Sequence, residues 1–189
     1  MSRFAGFGVN FPGLRSPGVG FEAPFEMLTA CHERVERMLD LLSRLLAHLT
    51  AQGCDEQARS AAADVLRYFD LAAPQHHLDE ERHVFPAVLA LQEQPLRQLV
   101  ERLQREHLEM ERLWAFVRQT LERVTRGDAQ SWTPLSDADK TAMATFSAIY
   151  QDHIRDEEGL VYPAAQQTLE KDQLQAMSSD MTHRRSARD

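Results

Sequence analysis

Four stretches of the chain carry apolar side chains at alternating steps of three and four residues, at about residues 23–51, 57–91, 95–126 and 137–170. This spacing lines up apolar side chains along one face of an α-helix, and that face has to be buried against another element. The breaks between the stretches are short and polar. Because short connections make successive helices antiparallel, the pattern predicts an all-α protein, an antiparallel up-and-down four-helix bundle. No stretch alternates with a period of two, so no sheet is predicted.

The two ends of the chain differ from these stretches. Residues 1–21 contain five of the eight glycines and four of the nine phenylalanines, a composition that does not form a helix. We therefore expect an N-terminal arm over residues 1–22 that packs on the domain, a bundle over 23–172 and a polar, frayed tail over 173–189. Ser136 or Asp137 is expected to cap the fourth helix.

Charge and cysteine content limit the function classes. The formal net charge is −8, which argues against nucleic acid or an anionic membrane as partner. The sequence has no apolar run near 18 residues and no apolar signal segment, so neither a membrane span nor a signal peptide is predicted. Two cysteines do not make a disulfide framework, which favours a reducing cytoplasm.

Histidines and glutamates occupy positions in the apolar stripes where an apolar side chain is expected. Six of them fall at one level, within about 6 Å, when the helical rise is counted from each loop. These six are His32, His76, Glu80, His107, His153 and Glu157. A buried, ionised glutamate is costly unless it is paired or bound to a metal. The stripes therefore predict a metal site that spans all four helices.

Part of this set comes from an internal repeat. Residues 76–86 and 153–163 both have the pattern H-x3-E-E-x2-V-aromatic-P. Histidine and glutamate four residues apart point to the same side of a helix, so each copy provides two metal donors, and the first and third stretches each add one histidine. Imidazole together with carboxylate suits iron, and manganese or zinc less well.

Four segments, in this order, carry a family resemblance: CHERVERML, HHLDEERHVFP, REHLEMERL and DHIRDEEGLVYP. Over about residues 23–167 the chain resembles the hemerythrin-like (HHE cation-binding) family. The resemblance implies an antiparallel four-helix bundle with a non-heme di-iron centre whose ligand positions match the six residues named above. The implied cofactor is two iron ions, replaceable by zinc or manganese, with the two glutamates and an oxo, hydroxo or water group bridging them.

Two departures from the oxygen-carrying hemerythrins affect the expected function. Those proteins have a second histidine four residues after the third-helix histidine, where this chain has Glu111. They also have an aspartate five residues after the fourth-helix histidine, where this chain has Glu158 and, one residue earlier, Glu157. The expected function is to bind or sense O2 or a related small ligand. The alternative is a di-iron oxidoreductase acting on peroxide, nitric oxide or ferrous iron, so both a binding protein and an enzyme stay open, as do the redox partner and a homo-oligomer.

Two further hypotheses for the function fit the sequence less well. Ferritin-like iron oxidation requires Glu-x-x-His on two helices, and only Glu80 with His83 fits. A metal-free interaction bundle would leave two carboxylates buried without partners.

Several neighbours of the six residues have expected positions of their own. His77 is expected at the surface, and Glu81 and Glu158 are expected to face solvent. His83 is expected either to support a ligand or to pack in the core. Glu111 is either solvated or a ligand in place of the missing histidine, and the solvated position is favoured.

Overall fold

The computed structural model describes residues 22–127 and 132–186, and within these residues every regular element is helical. The α-helices are α1 (Pro24–Gln52), α2 (Glu56–Leu71), α3 (Ala73–Asp79), α4 (Phe85–Ala90), α5 (Gln94–Arg126), α6 (Asp137–Asp156), α7 (Tyr162–Thr168) and α8 (Lys171–Ser186). Two π-helical turns, Glu80–Val84 and Glu157–Val161, join α3 to α4 and α6 to α7. The predicted all-α class is confirmed, whereas nearly all of the predicted N-terminal arm lies outside the described residues. No helix in the described ranges is long and apolar enough to span a bilayer.

The long helices pack side by side as a helical bundle. Helix α1 contacts α2 and α6, and α5 contacts the same two helices. The bundle interior contains two clusters of buried apolar side chains. One surrounds Phe69 and Phe146, and the other surrounds Leu28, Phe85 and Val161. On each long segment, the polar positions of the stripes lie near the point where the chain passes from one cluster to the other.

The start of α6 is held by a side-chain cap. Ser136 accepts a hydrogen bond from the backbone N–H of Asp139, and the Asp139 carboxylate accepts one from the backbone N–H of Ser136, which forms a capping box. Thr120 and Arg123 of α5 also donate to Asp139, so the cap ties α6 to its neighbour. The predicted cap at Ser136 is confirmed.

Each π-helical turn begins at the first glutamate of a repeat and ends before its aromatic–proline pair. The N–H of Phe85 bonds to the carbonyl of Glu80, and the N–H of Tyr162 bonds to the carbonyl of Glu157, five residues back in each case. The next residue is a proline in both copies, which has no N–H and cannot continue an α-helical ladder. Regular helices were expected here, but the repeated proline favours a wider turn, and such turns are often found at functional sites.

Helix α8 shows that the expectation of a frayed tail is wrong for residues 173–186. Met177 and Met181 are buried in the cluster around Leu28, and they lie four residues apart on one face of α8. Arg184 and Arg185 form ion pairs with the fully buried Asp79. The polar composition of this segment did not indicate its short apolar face, and it could not indicate the ion pairs with Asp79 on α3.

Candidate metal centre

The six side chains singled out from the sequence lie together between the two apolar clusters. Each is at most 4% exposed. Their nitrogen and oxygen atoms form two groups, and within each group the atoms lie within 4.8 Å of one another. The first group is His32, His76, Glu80 and Glu157, and the second is Glu80, His107, His153 and Glu157. The two glutamates belong to both groups, and each group has its own pair of histidines.

Each shared carboxylate turns one oxygen toward each group. In the first group, Glu157 Oε2 lies 3.2 Å from His32 Nε2, and Glu80 Oε1 lies 3.4 Å from His76 Nε2. In the second group, Glu157 Oε1 lies 3.0 Å from His153 Nε2, and Glu80 Oε2 lies 3.6 Å from His107 Nε2. A carboxylate can bridge two cations with one oxygen on each, and this division of the oxygens fits that mode.

Two further features of the donor atoms fit bound cations: their spacing and the absence of hydrogen-bond partners for three of the carboxylate oxygens. Ligand atoms at right angles around an octahedral ion are about 3 Å apart, given metal–oxygen distances of about 2.1 Å. Glu80 Oε2 and both Glu157 oxygens are buried and have no hydrogen-bond partner among the described residues. The histidine nitrogens beside Glu157 are close enough, but they are not aligned for hydrogen bonds. A buried carboxylate oxygen without a hydrogen bond is costly, so the donors are arranged for a positive charge between them.

Outer carboxylates orient three of the four histidines. Nδ1 of His32 lies 2.8 Å from Glu158 Oε1, and Nδ1 of His107 lies 3.0 Å from Glu81 Oε1. Nδ1 of His153 lies 2.9 Å from Glu106 Oε2. When Nδ1 donates its proton to a carboxylate, the Nε2 lone pair is free to point into the centre, as metal-binding histidines require.

Without a metal, protons supply the missing positive charge. Burial alone would lower the pKa of His153, but the neighbouring carboxylates of Glu157 and Glu106 together outweigh it and raise the pKa to about 9. Burial alone would raise the pKa of Glu157, but the neighbouring imidazoles of His153 and His32 together hold it well below its usual range. The pKa of Glu80 moves the other way, because burial and the charge of Glu157 both raise it. In the absence of a metal ion, the negative charge of the buried carboxylates is therefore balanced by protons, on His153 beside Glu157 and on Glu80 itself.

The outer carboxylates add a role to two residues that the sequence placed in solvent. Glu81 and Glu158 are about 40% exposed, as expected, and each also accepts a hydrogen bond from a histidine of another helix. The sequence did not point to Glu106 at all. For Glu81 and Glu158 the sequence did contain a signal, because the Glu-Glu doublet occurs in both repeats.

Three further residues settle open positions. The expected surface position of His77 is wrong, because its ring stacks on that of His107 with centroids 4.0 Å apart, and its Nε2 is buried without a described partner. His83 instead supports α8, with its Nε2 2.8 Å from Asp180. Glu111 is exposed, which confirms the solvated alternative.

Tyr162 is a second residue that the sequence did not single out. Its hydroxyl donates to Glu80 Oε1 and lies 3.2 Å from His32 Nε2, and its ring stacks on that of His32. Phe85 occupies the equivalent place in the first repeat and stacks on His107. On its outer side, Tyr162 lines a surface cleft of about 390 Å³. The signal in the sequence was the aromatic position shared by the two repeats.

Comparison with known proteins agrees with this geometry. A family model described as "Hemerythrin HHE cation binding domain" matches residues 23–165. A protein of Haemophilus influenzae, described only as an uncharacterized protein, is 31% identical over 166 residues, which cover 88% of this chain and 92% of the relative.

Proposed function

The chain belongs to the hemerythrin HHE cation binding domain family, and on that premise we propose that it holds two non-heme iron ions and binds or senses O2 or a related small ligand. His32 and His76 hold one ion, and His107 and His153 hold the other. The two shared glutamates, with an oxo, hydroxo or water group, bridge the ions. The observation that carries the proposal is that each buried carboxylate turns one oxygen toward each histidine pair. Zinc or manganese can occupy the same donors.

The surrounding helices position these donors and shield them from water. We infer that the four long segments run as an antiparallel up-and-down bundle, which the short connections and the pairing of α1 and α5 with α2 and α6 support. Neither buried cysteine forms a disulfide within the described residues, which fits the reducing cytoplasm that we propose. The apolar clusters above and below the donors exclude water, and the outer carboxylates hold the imidazoles in register. A di-iron pair supplies electrons and Lewis acidity to a small bound molecule.

Metal content tests the proposal directly. Protein purified without oxygen under iron-replete conditions is expected to contain two iron atoms per chain by elemental analysis, and its absorption spectrum is expected to change when air is added. His76→Ala and His153→Ala should lose iron, whereas Glu111→Ala, an exposed change on α5, should keep both ions. A wild-type content of zero or one metal ion per chain would contradict the proposal.

A second candidate function is a di-iron oxidoreductase that turns over peroxide, nitric oxide or ferrous iron with a separate redox partner. The exposure of Glu111 favours it, because α5 then contributes a single ligand where oxygen carriers have two, which leaves one iron more open. Catalytic loss of hydrogen peroxide by the iron-loaded protein would support this function. A stable oxygenated spectrum that reverses under argon would support reversible binding instead.

A further inference from the structure

The phenol oxygen of Tyr162 lies among the donor atoms of the first group. It is 3.2 Å from His32 Nε2, and Glu157 Oε2 lies at the same 3.2 Å from that nitrogen. It also donates a hydrogen bond to Glu80 Oε1. These separations are close to the roughly 3 Å expected between two ligand atoms of one octahedral ion. By position, the oxygen is a further donor and not a distant neighbour.

Packing holds the phenol at this place. The Tyr162 ring is 4% exposed and stacks on His32 at a centroid distance of 5.5 Å and an angle of 9°. Phe25 of α1 contacts the ring edge-on at 5.8 Å. The backbone N–H of Tyr162 closes the second π-helical turn, so the ring begins directly after the segment that carries Glu157. The ring is therefore fixed from both sides and from its own backbone.

Within residues 22–127 and 132–186, no tyrosine hydroxyl bonds to His107 or His153. Phe85, the counterpart of Tyr162 in the first repeat, stacks on His107 at 5.5 Å but carries no hydroxyl. The two groups also differ in their imidazoles, because Nδ1 of His76 has no partner within the described residues, while both histidines of the second group bond to outer carboxylates. The first group thus has one less-supported imidazole and one extra oxygen.

We propose that Tyr162 is a ligand of the iron ion held by His32 and His76 when that ion is ferric, and that the other ion has no tyrosine ligand. This inference rests on the proposed iron binding. On coordination the Oη–H bond breaks, a bond from Oη to the ferric ion forms, the proton passes to solvent, and no electron is transferred. A bound cation readily deprotonates an oxygen or sulfur ligand, and phenolate is an established ligand of iron in proteins.

The chain suits a spectroscopic test because it has three tyrosines. The hydroxyl of Tyr68 donates to the carbonyl of Cys31, and the ring of Tyr150 packs against Phe69 and Phe146. Neither makes a described hydrogen bond to the six donor residues. The full-length protein would be loaded with ferrous iron without oxygen and then oxidised in air. Iron per chain would be measured by elemental analysis, and tyrosine ligation by visible absorption and resonance Raman spectroscopy.

Wild-type protein is expected to contain two iron ions and to show a phenolate-to-iron charge-transfer band with enhanced tyrosine ring vibrations. Tyr162→Phe should lose the band and the vibrations completely. The double variant Tyr68→Phe/Tyr150→Phe leaves Tyr162 as the remaining tyrosine and should retain both signals. This variant keeps the test decisive even if Tyr162→Phe does not fold.

Three results would overturn the inference. The first is a wild-type protein with two iron ions and no tyrosine vibrations, which leaves the proposed function intact. The second is a signal that persists in Tyr162→Phe, and the third is a signal lost in the double variant although its iron content is unchanged. A wild-type protein that binds no iron would overturn the proposed function together with the inference, and the elemental analysis distinguishes that case.

Discussion

The carboxylates behind the histidines should determine how tightly the centre holds metal, and Glu106→Gln tests this with the least change in shape. Glu106 Oε2 accepts from His153 Nδ1 at 2.9 Å, and Arg102 donates to its other oxygen at 3.0 Å. Glutamine keeps the side-chain length and one acceptor oxygen but removes the charge. The charge-assisted hydrogen bond becomes a neutral one, and the imidazole becomes a poorer metal donor.

The expected loss of metal affinity depends on how exposed each outer carboxylate is. Loss of such a partner typically lowers metal affinity 10- to 100-fold, or about 1.4–2.7 kcal/mol. Glu106 is 19% exposed and anchored by Arg102, so Glu106→Gln should fall near the upper end of that range. Glu81 is 42% exposed, and water screens its charge, so Glu81→Gln should lower the affinity only about tenfold.

Competition titration of Zn²⁺ or Mn²⁺ against a chromophoric chelator at one fixed pH measures these affinities without oxidation chemistry. Glu111→Gln is the matched control, since it removes the same charge from an exposed position on the same helix. Its affinity should equal that of the wild type. Wild-type affinity in Glu106→Gln, or an equal loss in Glu111→Gln, would show that the hydrogen bond to the histidine does not support metal binding.

Three further predictions concern stability. Asp79→Ala removes the buried partner of the two α8 arginines and should lower the free energy of unfolding by about 3 kcal/mol, and an unchanged urea midpoint would refute this. Asp139→Ala breaks the capping box and should cost about 1–2 kcal/mol, whereas the exposed Asp137→Ala should cost less in the same assay. In metal-free protein burial lowers the pKa of His153, but Glu157 and Glu106 together raise it from 6.5 to about 9. Its protonated form therefore stabilises the fold fully below pH 6.5, and Tm should fall, not rise, from pH 7 to pH 9.

The sequence alone was sufficient for the fold class and for the meeting of the six donors. Helical periodicity is local, and short loops restrict how successive helices can be placed, so counting residues from the first loop located His32 and His76 at one level. The exact repeat H-x3-E-E made the two Glu positions equivalent. The metal-ligand role of these residues remains a prediction, although the structure brings all six together.

The tertiary structure decided everything that depends on which side chain of one helix meets which side chain of another. Glu81 and Glu158 look like ordinary surface glutamates until the π-helical turns and the neighbouring helices bring them to His107 and His32. Likewise, a polar tail becomes helix α8 only because a buried aspartate and an apolar surface are available to receive it. Such contacts join residues 26 to 130 positions apart, and no local pattern encodes the distance between them. The same reason explains why Tyr162, an aromatic residue at a core position by its spacing, was recognised as a neighbour of the metal donors only in the folded chain.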